Sequence, residues 1–408
     1  MNPLKSQQLS MATVEVFLAI EDQMLINIAK QLKRHNSLFV AEGIQSWQTL
    51  QLQELGSITQ NNIITIAKRS GLAIDEVTKM LEEVGYSAVS GVDRSLQEAI
   101  RQGAVIKPPQ PSTGSINKIL SAYQRRARNS FNLIGTTMLK QSQQSYIDIL
   151  NQTTGKVLTG TITPQQALRE AASKLADKGI PALVDKAGRQ WSTEAYVNMV
   201  TRSISNDVSN EMQDARMEEH GVDLFEVSSY PGARPKCFED QGKIYSLSGN
   251  HPDYPSIEET SYGEADGLFG VNCSHIKYPF VEGVSIQRNF PYDAEENKLI
   301  YKQSQQQRYL EREIRKSKRE LNMMGAIGDK EGIELAKYKV KEKQANLRKF
   351  IKDTGRTRRR DREQLAINNP NVGGGKLPTN QNSSNSSKVK PIGNPMDRFT
   401  KVSGNGEY

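Results

Sequence analysis

Cysteine is nearly absent, with two residues in 408, which excludes a disulfide-stapled secreted scaffold. Long apolar runs are missing too. No stretch approaches the ~18–20 residues that a membrane-spanning helix needs. The opening MNPLKSQQLSMATVEVF has no apolar centre of the secretory-signal kind, so Sec-type export is not expected. Apolar residues are only 36% of the chain and mean hydropathy is −0.62. Compact globular chains hold ~45–50% with glycine counted, so part of this one builds no core. The phosphate loops GxGxxG and GxxxxGK[ST] are absent, as is any Cys-x-x-Cys pair.

What the chain does have is an uneven charge. Its net +8 divides into +9 over 294–365 (21 basic, 12 acidic residues), +3 over 366–408 and −4 over the rest. A mildly acidic body therefore carries a basic C-terminal third. The plain reading is a solvated charged helix. The sharper one is contact with a polyanion such as DNA, RNA or an acidic protein surface.

Apolar periodicity predicts helices over 11–35 and around 44–55, the latter stopped by Gly56. Two short helices follow, 61–69 and 74–84, with Gly85 as C-cap. They mimic a helix–turn–helix, but Asp75, Glu76, Glu82 and Glu83 give the second one the wrong sign for reading DNA. Pro108 and Pro109 break the chain. Ser115 then caps a helix over 116–150, Thr163-Pro164 opens one to Lys178, and Ser192 opens one to about His220. Past Gly221 the sequence is rich in Gly, Pro, Tyr and Ser, with short strands expected near 224–229, 242–247 and 275–280. Two antiparallel charged helices follow, turning near Gly328-Asp329. From Ala366 onward the sequence is low-complexity and expected to be disordered. The fold class is α+β. Its expected parts are a helical N-terminal region (1–106), a linker (107–115), a long-helix region (116–221), a Gly/Pro-rich core block (222–290), a basic helical hairpin (291–365) and a tail (366–408).

Both cysteines and two of the four histidines fall within 237–275. Cys273-x-His275 suits zinc, with Cys237 and His251 as further candidates, although the spacing fits no standard finger. The plain alternative makes Cys237 and Cys273 ordinary small core residues. Cys273 and His275, two apart on a strand, would share a face as a nucleophile pair needs, yet no third orienting residue is evident. Arg234, between Pro231 and Pro235, suits either a bidentate carboxylate or phosphate contact, or an internal salt bridge to Glu239, Asp240 or Glu264. On the basic helices, Arg312, Arg315, Lys316 and Arg319 recur at helical spacing and Arg356, Arg358, Arg359 and Arg360 follow. These are the candidate DNA contacts, non-specific because no aromatic residue sits among them for stacking on bases.

Several blocks together carry a resemblance: SSYPGARP at 228–235, QGKIYSLSG at 241–249, GLFGVNCSH at 267–275 and YPFVEGVS at 278–285. DKAGRQW at 185–191, YVNMVTR at 196–202 and RYLEREIRKSKRE at 308–320 add to it. The chain resembles the phage minor capsid protein 2 family over most of 11–365. These are minor head proteins of tailed phages and prophages of Gram-positive bacteria, with a role like that of Mu-type head-morphogenesis proteins. Arg234, Gln241, Gly242, Tyr245 and Asn272 are the motif positions. The family typically has His where this chain has Tyr230 and Cys237, while Cys273 and His275 match. The resemblance implies a structural, non-enzymatic protein in the virion, with the portal and other head proteins as partners and the basic helices facing DNA or scaffold inside the capsid. The rival is an enzyme, a hydrolase or transferase, built on 225–285 and delivered with the DNA.

Overall fold

The computed structural model describes residues 3–107, 113–160 and 162–368. Nine α-helices and five short strands occur among them. They run in the order α1 (Pro3–Leu32), α2 (Ile44–Gln53), α3 (Leu55–Arg101), α4 (Thr113–Leu158), α5 (Pro164–Lys178), β1 (Pro181–Val184), β2 (Gln190–Ser192), α6 (Thr193–Glu219), β3 (Leu224–Val227), α7 (Pro235–Phe238), β4 (Ile244–Ser246), β5 (Lys277–Phe280), α8 (Ala294–Ile327) and α9 (Lys330–Thr354). The α+β class expected from sequence takes a mostly helical form.

One apolar core joins α1, α3, α4, α5, α6 and the end of α8. Residues Val14, Phe17, Ile20, Met24 and Ile28 of α1 are fully buried in it, so the first helix is its centre. Where the sequence predicts two helices over 61–84, α3 runs unbroken for 47 residues. A glycine inside a helix costs only about 1 kcal/mol relative to alanine. Burying Val77, Leu81, Val84, Ala88, Val92 and Leu96 along one stripe outweighs that. Gly85 is no C-cap: a β-carbon there would strike the Met212 side chain of α6, so the glycine lets two helices approach closely. Gly56 likewise lies inside α3, and Ser115 inside α4. The α5 and α6 starts are as expected. Thr163 forms a capping box with Gln166, and the Ser192 hydroxyl accepts from the Ala195 N–H.

Polar groups are also built into the helical core. Glu21 of α1 accepts from the Ile180 N–H at 2.9 Å and pairs with Arg319 of α8, also at 2.9 Å. Gly179 (φ +71) makes room, since a β-carbon would collide with the Glu21 carboxylate. Beside it, burial pushes Asp22 up to about 7, against the lowering field of Arg319. The folded chain thus holds a proton that the unfolded chain releases near pH 4. The stability this carboxyl carries is full below about pH 4 and lost as pH rises through about 7. Asp22→Asn should remove that loss. Between pH 5 and 8 the wild type should lose the equivalent of about 2–4 kcal/mol more than the variant, read as melting temperatures. Parallel pH profiles for the two proteins would contradict this.

After α9 the chain folds back along α8. Arg356 Nε donates to Gln307 Oε1 at 2.8 Å, and Arg359 grips the Glu311 carboxylate with two 2.9 Å bonds. Residues 366–368, expected to be disordered, instead form a 3₁₀ turn against α1. Ala366 is buried there and the Ile367 N–H faces Asp22 at 3.5 Å. The remainder of the expected tail, 369–408, lies outside the described residues, as does 108–112 of the expected linker.

Candidate functional site

The α+β block is organised by β3, all four of whose residues are buried. β4 and β5 flank it, both antiparallel. A second apolar cluster packs beneath the sheet from Val92, Leu96, Met217, Phe225, Tyr245 and Leu268. These strands match those expected from sequence, and their ends bring three segments together. The first is the turn after β3, with Tyr230 and Arg234. The second is the one-turn α7, with Cys237. The third is the approach to β5, with Cys273 and His275.

The loop before Cys273 is wound tightly. Phe269 and Asn272 have φ of 56° and 59°, a left-handed conformation that asparagine tolerates and phenylalanine does not favour. A β-carbon on Gly267 or Gly270 would overlap the Ser261 or Glu264 carbonyl. Arg234 holds the loop in place. Its Nη1 donates to Val271 O at 2.8 Å, its Nη2 to Gly267 O at 2.6 Å and its Nε to Cys237 Sγ at 3.1 Å. Arg234 is therefore an internal clamp, on carbonyls and a sulfur rather than on Glu239, Asp240 or Glu264. The carboxylates of Glu264 and Asp266 engage Lys236 instead, at 2.6 and 2.8 Å.

Cys237, Cys273 and His275 are all buried, and each places one ligand-type atom within 4.8 Å of the others. The sulfurs are 3.9 Å apart and Cys273 Sγ is 3.3 Å from His275 Nδ1. The hydrogen bond from Cys273, with help from His275 and Arg234, holds Cys237 well below the usual thiol range. Cys273 is pushed up by that neighbour and by burial. His251 does not join. Its Nε2 faces Glu282 at 3.5 Å and its ring abuts Tyr254. Tyr230 does, with its ring centroid 4.6 Å from that of His275. No oriented acid or amide holds His275 among the described residues: its ring faces the cysteine sulfurs, and Nε2 has no hydrogen-bond partner. A buried set of this kind can hold a soft cation. It lacks the oriented base of a nucleophilic site.

The other motif residues frame this cluster. Gln241 Oε1 accepts from the Tyr230 N–H at 2.7 Å, and the Tyr245 hydroxyl donates to Asp240 at 2.8 Å. Gly242 (φ +73) bonds through its N–H to Val227 O while Asn289 closes over it. Sequence reasoning missed Lys277, which is 1% exposed. Its ammonium pairs with Asp214 of α6 at 2.6 and 2.8 Å and lies 5.1–5.7 Å from the ring centroids of Phe225, Tyr262 and Phe269. A lysine between apolar strand residues was the available signal.

The basic candidates divide. Arg315 pairs with Glu194 at 2.5 Å, Arg319 with Glu21, Arg358 with Glu363 at 2.6 Å, Arg359 with Glu311, and Lys316 with Asp177 and Glu313. Arg356 bonds to Gln307. These side chains tie the helices together. Arg312 and Arg360 are exposed and form no ion pair among the described residues.

Residues 1–352 match the profile of the family described as phage minor capsid protein 2. A structural protein of Lactococcus phage LL-H is 28% identical over 358 residues, covering 84% of this chain and 95% of the relative. A structural protein of Lactococcus phage mv4 is 36% identical over 117 residues, 28% of this chain and 95% of that relative. No solved structure matches. The chain belongs to the phage minor capsid protein 2 family and is a structural protein of the phage particle.

Proposed function

We propose that the protein sits inside the phage head near the portal, contacts other head proteins, and faces packaged DNA with the outer surface of its C-terminal hairpin. The observation that carries the DNA contact is a comb of cations on α9. Lys341, Arg348 and Lys352 recur at i, i+7 and i+11, so they share one face, and Lys349 adjoins them. All four are exposed and form no ion pair among the described residues. With Arg312 and Arg360 they replace the arginines engaged internally as the DNA-facing set. The +3 of 366–408 adds to the same end of the sequence. Phosphate contact of this kind is electrostatic and independent of sequence.

Retention of duplex DNA by the full chain at rising salt tests the reading. Reversing Lys341, Arg348 and Lys352 to glutamate should weaken binding equally for unrelated sequences. It should also lower the salt slope by about one for each phosphate no longer engaged. A wild-type chain that fails to retain DNA at low salt contradicts the DNA contact. Chemical cross-linking in purified proheads tests the position: the expected products join this chain to the portal, and products with the outer shell alone contradict it.

A further inference from the structure

We propose that Cys237, Cys273 and His275 bind a zinc ion that staples the α+β block. Two of the three ligand separations match the edges of a tetrahedral centre. Zinc–thiolate bonds of about 2.3 Å and zinc–imidazole bonds of about 2.0–2.1 Å give tetrahedral edges of about 3.8 Å between sulfurs and about 3.5 Å from sulfur to nitrogen. The observed separations are 3.9 Å between Cys237 Sγ and Cys273 Sγ and 3.3 Å between Cys273 Sγ and His275 Nδ1. The third pair, Cys237 Sγ and a His275 ring nitrogen, lies within 4.8 Å, so a bound ion would draw these two side chains together. Two soft thiolates and an imidazole select zinc over the oxygen-seeking magnesium or calcium.

Burial gives a second argument. Cys237 and His275 have no exposed surface and Cys273 very little. The imidazole is held through the sulfur contact and its stack on Tyr230, with no hydrogen bond to its other nitrogen among the described residues. Two buried thiols with an imidazole between elements are costly to desolvate as charges, and a dication compensates them directly.

The surroundings give a third. Cys237 lies on α7 and the other two ligands lie 36 and 38 residues later, so the ion would close the irregular loop between them. That loop contributes little to the apolar core beyond Tyr245, Ile257, Leu268 and Phe269. A metal does the work that a larger core would do elsewhere. Arg234 then acts as a positioning residue. Its Nε–H donates to the Cys237 sulfur while its other nitrogens fix the carbonyls of Gly267 and Val271. A donor of this kind orients a ligating thiolate. Among Cys, His, Asp and Glu of the described residues the cluster supplies three ligands, leaving one vertex for water or another oxygen.

The test is elemental analysis of the full chain, purified without chelating resin, followed by cobalt substitution. About one zinc per chain is expected, and the cobalt form should show tetrahedral visible bands with a thiolate charge-transfer band. Cys237→Ser and Cys273→Ser should each abolish the charge-transfer signature of the pair. Cys237→His should keep the metal with a weaker band, because imidazole is itself a zinc ligand; a merely structural cysteine would give no such rescue. If a serine variant does not fold, the wild-type spectrum still decides. A folded wild-type chain with both thiols reduced, less than about 0.1 zinc and no cobalt bands overturns the proposal. So does a chain isolated with Cys237 and Cys273 joined as a disulfide and no metal.

Discussion

Arg319→Ala is expected to destabilise the folded chain by about 3–5 kcal/mol, because it leaves the Glu21 carboxylate buried without its counter-charge. Glu21 and Asp22 are 2% and 5% exposed, so water does little to compensate. The guanidinium also links α8 to α1 and, through Glu21, to the Ile180 backbone. A pair buried to this degree loses most when only one partner is removed. Arg319→Met combined with Glu21→Gln should therefore recover much of the loss. Urea unfolding midpoints of the single and double variants measure both. A single-variant loss under about 1 kcal/mol would mean an ordinary surface pair and would contradict the internal role assigned to Arg319.

Lys277→Ala should be the next most damaging change, at about 3–4 kcal/mol. It opens a cavity lined by Phe225, Tyr262 and Phe269, removes a cation from three aromatic faces, and leaves Asp214 unpaired. Asp214 keeps 30% of its side-chain surface, so the missing packing contributes more than the stranded carboxylate. Lys277→Met, which fills the same space without the charge, should cost less than half as much in urea unfolding. Equal losses for the two variants would show that the charge, not the volume, is decisive.

Local signals in the sequence are legible where the local chemistry decides the structure. Thr163-Pro164 and Ser192 open their helices because a capping hydroxyl satisfies end N–H groups whatever packs nearby. Gly328 and Asp329 turn the hairpin because one adopts φ 87° and the other caps α9. The strand positions and the shared face of Cys273 and His275 follow from spacing, whereas Cys237 joins them only through the packing of α7 against the approach to β5. Features decided by tertiary contact are not legible. The glycines of α3 look like breaks, yet the buried stripe against α1 and α6 carries the helix through them. The arginines of α8 share a face by periodicity, but periodicity cannot say that Arg315 meets Glu194 of α6 or that Arg319 meets Glu21 of α1. Adjacent acids inside the apolar stripe of α1 are the trace of that pairing. Arg356 and Arg359 look like a DNA-facing run because the fold-back of 356–363 along α8 leaves no mark in spacing.

The place of this structural protein within the phage particle is most directly tested by an asymmetric cryo-electron-microscopy reconstruction of the portal vertex in filled heads. Density for the α1–α9 fold is expected on the inner side of the portal, with the Lys341, Arg348 and Lys352 face of α9 turned towards DNA. The same fold located on the outer surface of the capsid, or with that face packed against protein and away from DNA, would contradict it.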